Sequence, residues 1–241
     1  MEIIKANCAI KFKRVLNLDG NYIKIQKILG DGFKELSPTP FQDNAPAELP
    51  RYVSKSYYGH SELLIALNQV VLNITFDEIY NKDTNKVFTY FKKRIELASK
   101  ISELLSDSFE FSGVSLTVKF DNESVSNLFL ANLNSQQTKM CEGEIYEYNH
   151  KYAFIKNKYQ YLNIAFLNAT IESKITKKDS YNKIEYNHNL IVNIDVNDKH
   201  GFNYIRHYKS NMKNIDENYN MIKDIVINKL SLIVEGEKVK L

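Results

Sequence analysis

The sequence predicts an α+β protein made of two consecutive halves, each an antiparallel sheet with a long amphipathic helix packed on it. Three observations lead there. Apolar residues alternate at period two over several short segments, as in strands with one buried face. Two longer stretches instead repeat apolar residues at steps of three and four, as in a helix lying on a core. In each half the strands come first and the helix last, without the strand–helix alternation of a parallel sheet. The halves are residues 1–121 and 122–241, a division that rests on element order because the two show no sequence repeat.

Residues 8–29 are expected to form a hairpin. CAIKFKRVL alternates, Asp19-Gly20 offers residues that tolerate positive φ, and YIKIQKIL alternates again. All four prolines fall in the loop 37–50, where missing amide donors exclude a central strand. Phe41 and Leu49 are its expected anchors. Residues 51–76 carry strand signals. Leu63, Ile65 and Leu67 share a face, and Val70, Leu72, Ile74 and Phe76 resume the alternation after a parity change at Asn68-Gln69. A tight turn or a bulge there would each satisfy the pattern. Helix 84–106 follows from Val87, Phe88, Phe91, Ile95, Ala98, Ile101 and Leu105, with Asp83 or Thr84 as its cap. A short strand is expected at 114–120 and a helical stretch near 125–133.

The second half offers strands at 144–154, 159–171 and 184–196 and a helix at 216–234. In the middle strand Leu162, Ile164 and Phe166 oppose Tyr161, Ala165 and Leu167. A strand apolar on both faces is central or belongs to an interface. The last helix presents Tyr219, Ile222, Val226, Leu230 and Ile233, and Gly236 is its natural stop.

Charge and motifs restrict the function. Lys+Arg is 32 against 29 Asp+Glu, for a net charge of +3 shared by both halves. Only Arg14, Arg51, Arg94 and Arg206 are arginine, the residue that reads guanine and phosphate in a planar fork. Tight binding to duplex DNA is therefore disfavoured. Cys8 and Cys141 lie in no CxxC pattern, so reduced structural thiols are expected. No membrane span and no signal-peptide pattern occur, which points to a cytoplasmic protein. His60, His150, His188, His200 and His207 form no metal motif, and neither a phosphate loop nor a nucleophile elbow is present. No catalytic residue, cofactor or metal ligand is assigned, and an enzyme is the minority reading.

One strand stands out. Tyr146, Tyr148, His150, Tyr152 and Phe154 occupy a single face of 144–154. Such rings either form core against the last helix or, if exposed, stack on the bases of a single-stranded nucleic acid.

The segments PAELPRYVSKSYYGHSELLIALNQVVLNITF (46–76) and YFKKRIELASKISELL (90–105), with the closing strand–helix pattern, resemble an uncharacterised, sporadically distributed family of bacterial proteins of similar length. The points of contact are Pro50-Arg51 before a strand, an apolar strand pair, and an amphipathic helix after it. The resemblance carries over no catalytic residue. Its patchy distribution implies mobile or anti-phage defence genes. The order of strands then long helix is also similar to export chaperones of the SecB type, at the level of fold alone. The expected function is a non-enzymatic protein-interaction subunit or accessory protein, a homodimer or part of a hetero-complex. The alternative is a single-stranded nucleic-acid binder using the aromatic strand face.

Overall fold

The computed structural model describes residues 1–40, 45–120, 149–178 and 181–241, with 168–178 and 181–188 described as strand only. Among these residues nine strands form one antiparallel sheet. In chain order they are β1 (Glu2–Phe12), β2 (Ser37–Pro38), β3 (Pro50–Lys55), β4 (Ser61–Ala66), β5 (Gln69–Thr75), β6 (Phe109–Phe120), β7 (Asn149–Ile155), β8 (Tyr161–Lys178) and β9 (Tyr181–Asn197). Their order across the sheet is β2-β3-β4-β5-β1-β6-β9-β8-β7. β6 pairs with β9 from Gly113↔Asn197 to Phe120↔Leu190, so one ladder joins strands from both halves of the sequence.

Helices cover one face. α1 (Tyr22–Leu29) lies beside α2 (Thr84–Leu105), and α2 packs on β1 and β5. The short α3 (Lys199–Tyr204) and α4 (Met212–Asp224) pack on β6, and α4 also reaches β9. A π turn (Ile225–Lys229) joins α4 to α5 (Leu230–Val234). Beneath them the buried positions run two by two along each strand. Cys8, Ile10 and Phe12 of β1, Val114, Leu116 and Val118 of β6, and Val192, Ile194 and Val196 of β9 are all sealed. Burial of Cys8 pushes its thiol pKa up to about 12 and leaves it a packing residue. Cys141 lies outside the described residues.

The expected hairpin at 8–29 is corrected. Its first arm is β1, a central strand between β5 and β1's other neighbour β6. Its second arm is helix α1. Tyr22, Ile25 and Leu29 fit helical spacing, while Ile23, Ile25 and Leu29 fit alternation, and Ile25 and Leu29 are buried against the core. Ile23, which alternation would place beside Ile25, is 68% exposed. Asp19-Gly20 belongs to a 3-10 turn with no positive φ, and the Gly20 N–H donates to the Asn17 side chain at 2.9 Å.

The parity change at Asn68-Gln69 is a tight turn. Ile65 pairs with Val70, so β4 and β5 form a hairpin around it. The proline loop is partly strand: Ser37-Pro38 adds a two-residue edge to β3, where a proline costs no ladder bond. Leu49 is exposed, and Phe41 lies outside the described residues. Arg51 holds the loop, donating to the carbonyls of Ala45 (3.0 Å) and Pro46 (3.3 Å).

α2 matches its expected bounds, and Asp83 caps it by accepting the Lys86 N–H at 3.0 Å. That bond holds the Asp83 carboxyl below the ordinary range. The second long helix is interrupted. It starts earlier than expected, at Met212, behind an Asn211–Asn214 capping box. Ile222, Val226, Leu230 and Val234 are buried at steps of four, more than the 3.6 residues of an α turn. The wider π turn absorbs the excess and keeps this row on the core. Gly236, with φ of 85°, ends the run as expected. The stretch near 125–133 lies outside the described residues, and no helix among them is long and apolar enough to cross a membrane.

Candidate functional site

Among the described residues no helix packs on the opposite face of the sheet, whose side chains follow from register. Glu62, Asn73, Asn7, Ser115, Asp195 and Asn163 stand opposite one another on β4, β5, β1, β6, β9 and β8. A neighbouring row runs Thr75, Lys5, Thr117, Asn193 and Ala165. Amides and hydroxyls link the strands: Asn7 Nδ2 donates to Asn73 Oδ1 at 2.6 Å, and Thr117 Oγ1 to Asn193 Oδ1 at 2.8 Å. Asp195 Oδ2 accepts from Asn163 (2.9 Å) and Asn197 (2.7 Å), while burial raises its carboxyl above the ordinary range. A shallow cavity of about 310 Å³ opens between Lys5, Asn7, Asn73, Thr75, Ser115 and Thr117. Amides rather than a histidine face the Asp195 oxygen, so the arrangement is suited to hydrogen-bonding a ligand more than to activating a nucleophile.

On the helix-covered side, at the end of β6 and β9, a buried polar knot fixes the α3 region. Asp198 follows β9 and is fully buried. It accepts from the Ser112 N–H, the Ser210 hydroxyl and, at 2.8 Å, the Tyr208 hydroxyl. Asn218 of α4 extends the knot to the Ser112 carbonyl, and Gln160 Nε2 donates to Asn218 Oδ1 at 2.8 Å. Burial raises the Asp198 carboxyl, and burial together with the Asp198 charge raises the Tyr208 hydroxyl.

Gly201 lets the pieces meet. Its N–H donates to the Tyr159 carbonyl at 2.9 Å, and a Cβ there would stand 2.6 Å from the Tyr208 ring and 2.7 Å from Tyr159 Cβ. Those two rings are themselves stacked, with centroids 6.2 Å apart. Gly201→Ala is expected to destabilise by about 2 kcal/mol, as for other overpacked sites. Thermal melts would check this, and an unchanged midpoint would show that the rings part freely.

The five aromatic-stripe residues are only partly placed. Tyr146 and Tyr148 lie outside the described residues. His150, Tyr152 and Phe154 pair with Phe166, Ile164 and Leu162, which puts them on the core side of the sheet. Among the described residues β7 is the last strand there. His150 is half-buried, whereas Tyr152 (45%) and Phe154 (38%) remain exposed, their rings stacked at 6.4 Å. Tyr152 also meets Phe166 edge-on.

A second aromatic group gave no alternating signal. Around α3, His200 lies between the rings of Tyr161 (4.9 Å) and Tyr204 (4.8 Å), and Phe202 packs on Phe111 at 5.5 Å. The spacing KHGFNY alone distinguishes it in sequence. Among the described residues no group of three or more His, Cys, Asp or Glu is placed to hold a metal ion. Compared with protein-family models and with curated proteins, the chain matches none.

Proposed function

We propose that the protein is a binding subunit that works through protein contacts, and that its first partner is a second copy of itself. The observation that supports this is β7. Tyr152 and Phe154 on one side and Ala153 and Ile155 on the other are all exposed, Ile155 at 65%. Among the described residues β7 ladders with β8 alone. The 152–155 half of this end strand, apolar on both sides after Asn149 and Lys151, is a surface that water disfavours and another strand can cover. Its middle residue is Tyr152. A two-fold axis beside it would pair β7 with β7 of the second copy, antiparallel like the rest of the sheet. The setting of an anti-phage accessory protein is carried by the family resemblance alone.

Light scattering over a concentration series tests the reading. The expected mass rises from 28.0 kDa toward twice that value. Ile155→Lys with Phe154→Lys should hold it at the monomer while circular dichroism stays unchanged. A wild-type mass fixed at the monomer value at every concentration would overturn self-association.

A further inference from the structure

We propose that the surface built by α3 and the turn before β8 binds single-stranded nucleic acid, stacking bases on Tyr204 and Phe202 and holding phosphates with Lys158, Lys199 and Arg206. This goes beyond the protein-contact reading and stands on different residues. It also takes the nucleic-acid alternative away from the β7 face.

Three independent observations converge on this surface. The first is exposure. Tyr204 is 70% exposed and Phe202 42%, although both lie within six residues of a fully buried Asp198 and within three of a buried Gly201. The fold anchors this short helix tightly and still leaves its rings in water. Each ring is braced from one side, Tyr204 by His200 and Phe202 by Phe111. A braced ring with an open side meets a base at little cost in side-chain entropy.

The second is charge. No acidic residue occurs among residues 199–215 or 156–161, which contribute Lys199, Arg206, Lys209, Lys213, Lys156 and Lys158. The two segments touch: His200 Nδ1 lies 3.0 Å from the Lys158 carbonyl oxygen, and Tyr161 packs on His200. Each acid at their borders has a partner, Asp216 pairing with Lys92. Asp198 is sealed among hydroxyls, and Glu217 accepts from Tyr159 and pairs with Lys213. The chain's net charge is only +3, so this local excess stands against an otherwise balanced surface. It attracts polyanions.

The third is preorganisation. The knot of Asp198, Ser112, Ser210 and Tyr208 fixes both ends of the 199–209 segment, and His207 holds a positive φ of 62° within it. Duplex DNA presents its bases edge-on and stacked, so exposed ring faces recognise single strands instead. An acidic protein would satisfy the cations without using the rings.

Fluorescence anisotropy with labelled oligouridine tests the proposal. Binding should weaken as salt rises from about 50 to 200 mM. The paired change Phe202→Ala with Tyr204→Ala should weaken it by about tenfold. Lys199→Glu with Arg206→Glu should weaken it further and flatten the salt slope. All four positions are exposed, and unchanged thermal melts confirm that the variants fold. Competition by polyglutamate as effective as by unlabelled oligouridine would overturn the proposal. So would binding that survives both double variants and is lost instead in Tyr152→Ala with Phe154→Ala. Absence of binding at low salt would overturn it outright, without touching the oligomer reading.

Discussion

Replacing Phe91 by alanine is expected to lower stability by about 3–5 kcal/mol, the largest effect of any single change considered. Phe91 is fully buried at the middle of α2, which lies on β1 and β5. It also meets the Tyr219 ring of α4 at 6.1 Å, while Phe88 meets the same ring edge-on at 6.0 Å. Tyr219 donates its hydroxyl to the Phe88 carbonyl at 2.9 Å. Burial in this seam pushes the Tyr219 pKa up to about 12. The phenylalanine therefore holds a helix to the sheet and one helix to another. Its removal opens a void on two sides that neighbouring backbone cannot fill. Urea denaturation would measure the loss, and Phe91→Leu should recover more than half of it. A cost under about 1 kcal/mol would mean that the two helices close up and the seam is soft.

Asp198→Ala should cost about 3 kcal/mol for a different reason. No apolar volume of note is lost, but the Ser112 amide and the hydroxyls of Tyr208 and Ser210 lose their acceptor inside the protein. Buried donors without partners pay their full desolvation cost. Asp198→Asn keeps an acceptor for Ser112, and the hydroxyls can rotate to accept from its amide, so its cost should be well below half as large. The pH dependence separates the two descriptions. Burial raises the native carboxyl above its ordinary value near 3.8. A raised native pKa means that the folded protein holds the proton more tightly than the unfolded chain. This contribution to stability is full below the ordinary carboxyl range and is lost as pH rises through the raised native value. Wild type should therefore lose stability relative to Asp198→Asn on going from acid toward neutral pH. A difference that stayed flat with pH would show the native carboxyl to be unshifted.

The two long helices and most strands were legible because each buries a complete periodic face. α2 fills seven successive positions of one stripe, which leaves a single solution for residues 84–105. α1 was misread because eight residues with Ile23 and Ile25 fit either period, and what decides between them is non-local. β1 already has β5 and β6 as neighbours and offers no edge for a second hairpin arm. The π turn escaped because steps of four look like an ordinary helix until several accumulate. The site was less legible than the fold. Tyr152 and Phe154 were identified, but their exposure depends on β7 being the last of the described strands, a matter of topology. The α3 rings carry no period at all, since a six-residue helix is too short to show one. Asp198 looked like any polar residue after a strand, and its donors come from residues 112, 208 and 210.

The position of β1 at the heart of the sheet has a consequence for synthesis. Its ladder with β6 joins residues near 2–12 to residues near 109–119. During translation the early strand therefore leaves the ribosome long before that neighbour exists. At roughly 5–20 residues per second, about 100 intervening residues take some 5–20 seconds to emerge. The β4–β5 hairpin can shield one flank of β1 in that interval, but the other flank stays open to any passing strand. Slowing elongation across the stretch before β6 should lengthen this exposure and raise the share of nascent chains captured by chaperones or lost to aggregation.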